Sequence, residues 1–339
     1  MTGVARMVGR PGVLAWGLWA LVMVGLVVMA WVDHLLRQAG RPELVTLDIG
    51  VVTVLGEVSA ATVGALVASR RPRHPVGWLL LALGLSLMMT GVSLGYANYG
   101  LVARPGVLPA ADYAAAYTNG FGFVEAALLS FVLLLTPTGS LPTRRWRWWA
   151  RVAAAAAAVG LLTAITLPFG DRPFGAPFGA VPNPLAIASL ADPLGVPSGV
   201  GLVVAVLGIP VGAWSLVVRF RRARGTERQQ LRWLALGAAV VAVAVAAMVV
   251  LVFSGNVAAV PWVFDLLVVP TLPLTTGAAI LRYRLYDLDR IVSRTLAWAL
   301  LTVLLGLGYA AVVLGLGRLL PQGSSLAVAA ATLAVAAAF

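Results

Sequence analysis

Long apolar runs, interrupted by short charged or proline- and glycine-rich segments, are the dominant pattern of this chain. An α-helix needs roughly 20 consecutive apolar residues to cross the hydrocarbon core of a bilayer, and the pattern predicts about ten such spans. We therefore predict an all-α fold, a polytopic transmembrane helix bundle. The predicted spans are 12–32, 46–68, 76–97, 119–137, 152–168, 199–219, 233–253, 260–281, 295–317 and 323–339.

Composition agrees with this class. Hydrophobic residues make up 61% of the 339 residues, charged residues 11%, and the mean hydropathy is +0.96. A soluble chain carries about a quarter of its residues as charged side chains. The chain contains no cysteine, which excludes disulfides, thiolate chemistry and cysteine metal sites.

The placement of arginine predicts the orientation. All 24 basic residues are arginine, and most fall in alternate inter-span segments, as the positive-inside rule requires. This predicts a multi-pass protein of the inner (plasma) membrane with both termini in the cytoplasm. The basic residues are spread over five short segments, so they favour contact with the lipid bilayer over a nucleic-acid partner. The predicted cytoplasmic arginines are Arg6, Arg10, Arg70, Arg71, Arg73, Arg144, Arg145, Arg147, Arg151, Arg219, Arg221, Arg222, Arg224, Arg228, Arg232, Arg282, Arg284, Arg290 and Arg294.

A charged island, LRYRLYDLDRIVSRTL at 281–296, lies between two apolar runs. Its leucines and Val292 follow helical spacing, which predicts one apolar helix face on a segment too charged to cross a bilayer. We predict three parts: an eight-helix sensing bundle at 1–281, a charged interfacial connector at 282–294 and a final transmembrane hairpin at 295–339. The candidate signal-coupling residues of the connector are Arg282, Arg284, Asp287, Asp289, Arg290 and Arg294.

Acidic residues within the predicted spans are the candidate ligand-binding groups. A carboxyl inside a bilayer costs a few kcal/mol, so it is expected to face the bundle interior and to find a partner. Two interpretations stay open: a polar pocket that binds a ligand, a cation or a proton, or hydrogen-bonded acids that hold helices together. The candidate pocket residues are Asp48, Glu57, Glu125 and Asp265.

Two predicted outer segments, 98–118 and 169–198, are long enough to receive a signal. The second is rich in proline and glycine, which indicates turns. They are either receptive loops or connectors of fixed shape.

The sequence contains no catalytic motif, and we predict no catalytic residue, no cofactor and no metal site. His34 and His74 fall on opposite predicted sides of the membrane and cannot share a metal ion. The glycine pairs at 91 and 95 and at 208 and 212 are small-xxx-small patterns, which let helices approach closely.

Four arginine-bearing segments stand out together: RPRHPVGWLL at 71–80, PTGSLPTRRWR at 137–147, RARGTERQQLRW at 222–233 and the island at 281–296. In order and spacing they resemble the N-terminal multi-pass membrane region of sensor histidine kinases of actinobacteria and related bacteria. An outer NPLA at 183–186 is similar to the NPLG of that family. The chain departs from the family pattern at His74, Ser140 and Ala186.

The resemblance implies a membrane signal-sensing module of a two-component system that works as a homodimer. In that family a phosphoacceptor helix pair and an ATP-binding domain follow, and a response regulator is the partner of the kinase core. Neither segment occurs in this sequence, so no kinase residue is carried over. We expect either a hairpin truncated before the kinase core or a relative that lacks it. A transporter or permease that uses the intramembrane acids is the alternative, and a scaffold is a third reading.

Overall fold

The computed structural model describes residues 10–281, with gaps at 142, 167–177, 179–180, 188, 190 and 223–233 and at several positions between 236 and 262. The side chains of some helical residues in this range, including Asp48 and Asp265, are also outside the description. All described residues belong to one compact unit, Met1–Tyr283. The predicted connector 282–294 and hairpin 295–339 lie outside the described residues.

The described part of the chain consists of helices joined by turns and contains no strand. Short 3₁₀ and π turns occur at Pro42–Leu44, Asn98–Ala103 and Phe264–Val268, and further helical residues lie between 234 and 251. The α-helices whose bounds lie within the described residues are α1 (Arg10–Gln38), α2 (Thr46–Arg70), α3 (Pro75–Ala97), α4 (Ala111–Leu135), α5 (Trp146–Thr166), α6 (Ala191–Arg222) and α7 (Val269–Leu281).

Helices α1–α6 occur at the first six predicted spans, but several extend beyond the predicted bounds. α1 continues to Gln38, because the polar residues after the apolar run have helix-forming side chains. α4 begins at Ala111 through an alanine-rich stretch of high helix propensity. α6 begins at Ala191, and Pro193 falls in its first turn, where a missing amide hydrogen costs no helical hydrogen bond.

Three helices among the described residues are long and apolar enough to cross a membrane: Pro11–Gln38, Pro75–Ala103 and Ala111–Leu135. Helix α1 leaves large apolar side chains uncovered by protein, with exposed fractions of 70% at Val27, 63% at Val13 and 62% at Trp31. Water disfavours so large an apolar surface on one helix, whereas lipid accommodates it. These helices indicate membrane association.

Helices α2 and α3 make the most extensive contact in the described bundle. Glycines bring their backbones together: a Cβ on Gly64 would meet the Leu81 amide nitrogen at 2.6 Å, and one on Gly77 would meet the Ala68 amide nitrogen at 2.6 Å. Gly84 approaches the Ala61 nitrogen in the same way, at 3.0 Å. We call Gly64, Gly77 and Gly84 the glycine seam. It leaves no room for even a methyl group between the two helices.

The remaining contacts extend the bundle from this pair. α1 packs on α2 and α3, α7 packs on α2, and α4 packs on α3, α5 and α6. The predicted packing glycines are confirmed as close contacts: Gly91 lies against Met29 of α1, and Gly212 lies against Leu133 of α4. The largest apolar cluster joins α2, α3, α4, α6 and α7 through residues such as Ala60, Leu87 and Leu272.

Candidate functional site

Glu57 lies near the middle of α2 and is buried, with 2% of its surface exposed. Its neighbour Gly56 contacts Val269 of α7, which places the carboxyl close to where these two helices meet. Among the described atoms, Oε1 of Glu57 has no hydrogen-bond partner. A buried carboxyl oxygen without a partner is costly, and such violations concentrate at functional sites.

Glu125 of α4 provides the second carboxyl of this region. The hydroxyls of Thr90 and Ser86 on α3 donate to its Oε1 at 2.9 and 3.3 Å. Glu57 and Glu125 are also close enough to interact electrostatically. We call Glu57, Glu125, Ser86 and Thr90 the acid cluster. Two carboxyls and two hydroxyls in apolar surroundings form a candidate site for a proton or a small cation.

The structure thus brings together two of the four predicted pocket residues. The side chains of Asp48, in the first turn of α2, and of Asp265, in the π turn before α7, lie outside the described atoms. The four-residue pocket therefore stays a prediction. So does the role of the connector residues Arg282, Arg284, Asp287, Asp289, Arg290 and Arg294, none of which is among the described residues.

A second polar region lies where α2 ends, α3 begins, and α4 and α6 end; we call it the arginine-rich end. Here the 71–75 turn meets the 136–140 turn. Nε2 of His74 lies 3.0 Å from the carbonyl oxygen of Pro137. Gly139 has a φ of +77°, which favours glycine, and a Cβ there would lie 3.0 Å from Cδ of Pro75. The two turns therefore fit against each other closely.

Arg219, near the end of α6, links that helix to the same turn. Its side chain is buried, with 8% exposed. Its guanidinium donates to the carbonyl of Leu134 at 2.8 Å, to the hydroxyl of Thr138 at 2.8 Å and to the carbonyl of Ser140. We call this set the Arg219 joint. It satisfies carbonyls left open at the end of α4 and ties the end of α6 to the α4–α5 turn.

Two of the segments that stand out in the sequence, 71–80 and 137–147, therefore contact each other. Within the first, the Trp78 indole donates to the carbonyl of Pro72 at 2.8 Å, which closes the turn onto α3. The third segment, 222–233, begins at the last residue of α6 and continues outside the described residues.

The opposite end of the bundle is held by other polar residues. Asp33 of α1 is buried and accepts hydrogen bonds from the amide and hydroxyl of Thr46, at 3.0 and 2.9 Å, at the start of α2. Asn183, in the NPLA stretch, donates to the carbonyl of Ile165 at 2.7 Å near the end of α5. Both residues satisfy helix ends, which is a structural role.

Sequence reasoning did not single out Arg219, Ser86 or Thr90. The spacing of residues in the sequence could have indicated that Arg219 is buried. Gly212, Ser215 and Arg219 follow helical spacing, and all three are buried, so the inward face of α6 continues one turn past the apolar run. Ser86 and Thr90 are hydroxyl residues four apart in a mostly apolar helix, which places them on one face.

Among the described residues, no three His, Cys, Asp or Glu side chains form a group that could hold a metal ion. His34 lies toward the end of α1, and its Nε2 is 3.0 Å from Nε2 of Gln38. His74 precedes α3 at the arginine-rich end.

Comparison with protein-family models, curated proteins and solved structures finds no match to this chain.

Proposed function

We propose that this chain is the membrane signal-sensing module of a two-component sensor histidine kinase, without catalytic activity of its own. In this proposal it is a multi-pass protein of the inner (plasma) membrane with about ten spans. Both termini and the arginine-rich end face the cytoplasm. Its partners are a second copy of the chain and, through the kinase core, a response regulator.

The observation that supports this proposal best is the meeting of three elements at the arginine-rich end. His74 at the start of α3 and Arg219 of α6 both contact the 136–140 turn, at Pro137 and Thr138, and Arg219 also donates to Leu134 of α4. A sensing bundle has to convert a small shift of one helix into a change at the cytoplasmic side. Because α3, α4 and α6 share these bonds, a shift of any one helix is transmitted to the turn that leads into α5.

The proposal is tested by joining the full chain to the core of a known histidine kinase and reading a transcriptional reporter. Charge-reversing changes at Arg284, Asp287 or Arg290 of the predicted connector are expected to abolish the response while membrane insertion stays normal. Arg144→Glu, an exposed arginine of the 143–145 turn, is the matched control and is expected to retain the response. A fusion that gives no regulated output with any membrane or ligand stimulus contradicts the proposal.

A proton- or cation-coupled transporter is the second candidate, and the orphaned Oε1 of Glu57 beside Glu125 is the observation that favours it. Such a protein needs an intramembrane carboxyl that binds and releases an ion. Uptake measured in vesicles that contain the purified chain is expected to fail in the combined Glu57→Gln, Glu125→Gln and Asp265→Asn variant. Uptake that survives all three changes excludes acid-coupled transport.

A further inference from the structure

A cavity of about 510 Å³ lies between the two turns of the arginine-rich end. The 71–75 turn forms one wall, and Thr138 and Gly139 form the other. Its volume falls within the range of roughly 300–1,000 Å³ that is typical of small-molecule sites. The contact of His74 with the carbonyl of Pro137 closes one side and holds the walls at a set separation.

The lining of the cavity combines apolar surface with basic side chains. Arg71 and Arg73 both line the cavity, and Thr138 adds a hydroxyl. Behind Thr138, Nη1 of the buried Arg219 lies 2.8 Å from the threonine oxygen, so a third positive charge stands close by. None of the described residues that line the cavity is acidic. A guanidinium pair with a hydroxyl suits a phosphate group, which arginine binds through paired N–H donors.

The position of the cavity indicates where such a phosphate comes from. Trp78 lies one turn into α3 beside the cavity, and Trp148, 68% exposed, lies at the start of α5 after the second turn. Tryptophan side chains concentrate at the headgroup level of a bilayer. The helix that begins at the cavity, Pro75–Ala103, is long and apolar enough to span a membrane. A lipid phosphate at headgroup level is therefore at the depth of Arg71 and Arg73.

We propose that the cavity between the 71–75 and 138–139 turns is a binding site for the phosphate headgroup of an anionic phospholipid. Arg71 and Arg73 hold the phosphate oxygens, and the acyl chains follow the apolar surface of the helices into the bilayer. Bound lipid bridges the start of α3 and the α4–α5 turn. This lipid site does not depend on the proposed signalling role, because lipid binding is measured without any signalling output.

The test measures lipid binding by native mass spectrometry of the purified full chain in detergent, where no bulk membrane surface contributes. Phosphatidylglycerol is the probe, phosphatidylcholine is the zwitterionic comparison, and inorganic phosphate is the competitor. Removing two guanidiniums that donate hydrogen bonds to the phosphate predicts a roughly 30-fold loss of phosphatidylglycerol affinity in Arg71→Gln/Arg73→Gln. Arg144→Gln/Arg145→Gln makes the same charge change outside the cavity and is expected to bind like the unaltered chain.

Each result decides the proposal. An equal loss in the Arg144→Gln/Arg145→Gln control would show diffuse electrostatic attraction and overturn the site. Full displacement of the lipid by millimolar phosphate would assign the cavity to a soluble anion. Phosphatidylcholine binding as tightly as phosphatidylglycerol would also overturn it. If the double variant does not fold, Arg73→Gln alone, at an exposed position, is expected to weaken binding about fivefold.

Discussion

Replacing Arg219 with methionine tests the Arg219 joint, because methionine keeps much of the apolar stem and removes every donor. The carbonyls of Leu134 and Ser140 and the hydroxyl of Thr138 then lose their bonds to the guanidinium. Of these acceptors only the carbonyl of Leu134 belongs to a buried residue, whereas Thr138 and Ser140 are exposed to solvent. A buried acceptor left unsatisfied costs about 1–3 kcal/mol, and part of this cost is offset because a buried charge no longer has to be stripped of water. We expect the free energy of unfolding to fall by about 1–3 kcal/mol.

The local effect is measurable by limited trypsin digestion in detergent, because Arg144 and Arg145 follow the turn that the joint holds. If about 2 kcal/mol of the loss is local, cleavage after these residues accelerates roughly 30-fold. Arg219→Lys keeps the charge but offers one ammonium to three acceptors, so an intermediate effect is expected. Arg221→Met, at an exposed position two residues on, is the matched control. A change in stability of less than about 0.5 kcal/mol in Arg219→Met, as ordinary surface changes give, would contradict a stabilising role of the Arg219 joint.

Three further predictions concern thermal or denaturant unfolding of the purified chain. Gly64→Ala is expected to lower the free energy of unfolding by about 2–3 kcal/mol, since its methyl group would meet the backbone of α3. The control Gly122→Ala, whose added methyl group meets nothing within 4 Å, is expected to be neutral or to stabilise by up to about 1 kcal/mol. Equal effects of the two changes would contradict the glycine seam. Asp33→Ala is expected to cost about 1–2 kcal/mol, because the start of α2 loses its hydrogen bonds at Thr46, and an unchanged midpoint would argue against this cap. Glu57→Leu is expected to raise stability by about 1–3 kcal/mol by removing a buried carboxyl oxygen without a partner; a lower stability would mean that the carboxyl is bonded in the membrane.

The pattern of apolar runs was sufficient to predict where helices occur but not where they end. Each of the first six predicted spans falls on one of the helices α1–α6, because a long apolar run predicts a helix, and three of these helices are long and apolar enough to span a membrane. Helix ends depend on local partners. α1 passes through Asp33 to Gln38, and the helix end is marked by the turn at Gly40, with a φ of +72°. The hydropathy of the residues does not predict the local contacts at which a helix ends.

The candidate site, like the fold, could be predicted from the sequence only in part. Glu57 and Glu125 could be chosen from the sequence, because an acid within an apolar run is rare and has a physical cost. Their proximity to each other could not, because it depends on which faces of α2 and α4 point inward. The arginines of the charged segments look alike in sequence, yet Arg219 is buried while Arg144 and Arg221 are exposed. Only the packing of α6 against α4 separates the buried arginine from the others.

The packing shows where helices meet through backbone contacts and where they also meet through polar side chains. The glycine seam joins α2 and α3 through backbone contacts, and Gly212 brings α6 to within 3.2 Å of the Ser130 carbonyl of α4, measured from a Cβ built on the glycine. Contacts of this kind resist sliding, because any shift drives backbone atoms together. Helices α3 and α4 also pack extensively on each other, and the hydroxyls of Ser86 and Thr90 donate to Glu125 across this interface.

The hydrogen bonds of Glu125 lie at the α3–α4 interface, and the 136–140 turn lies at the end of the same interface. A change at Glu125 that shifts α4 relative to α3 has to be accommodated where Gly139 fits against His74 and Pro75. The Arg219 joint couples α6 to that turn, because the guanidinium donates to Leu134 before the turn and to Thr138 within it. In the proposed sensing role, a shift of α4 at Glu125 would reach the arginine-rich end through these contacts.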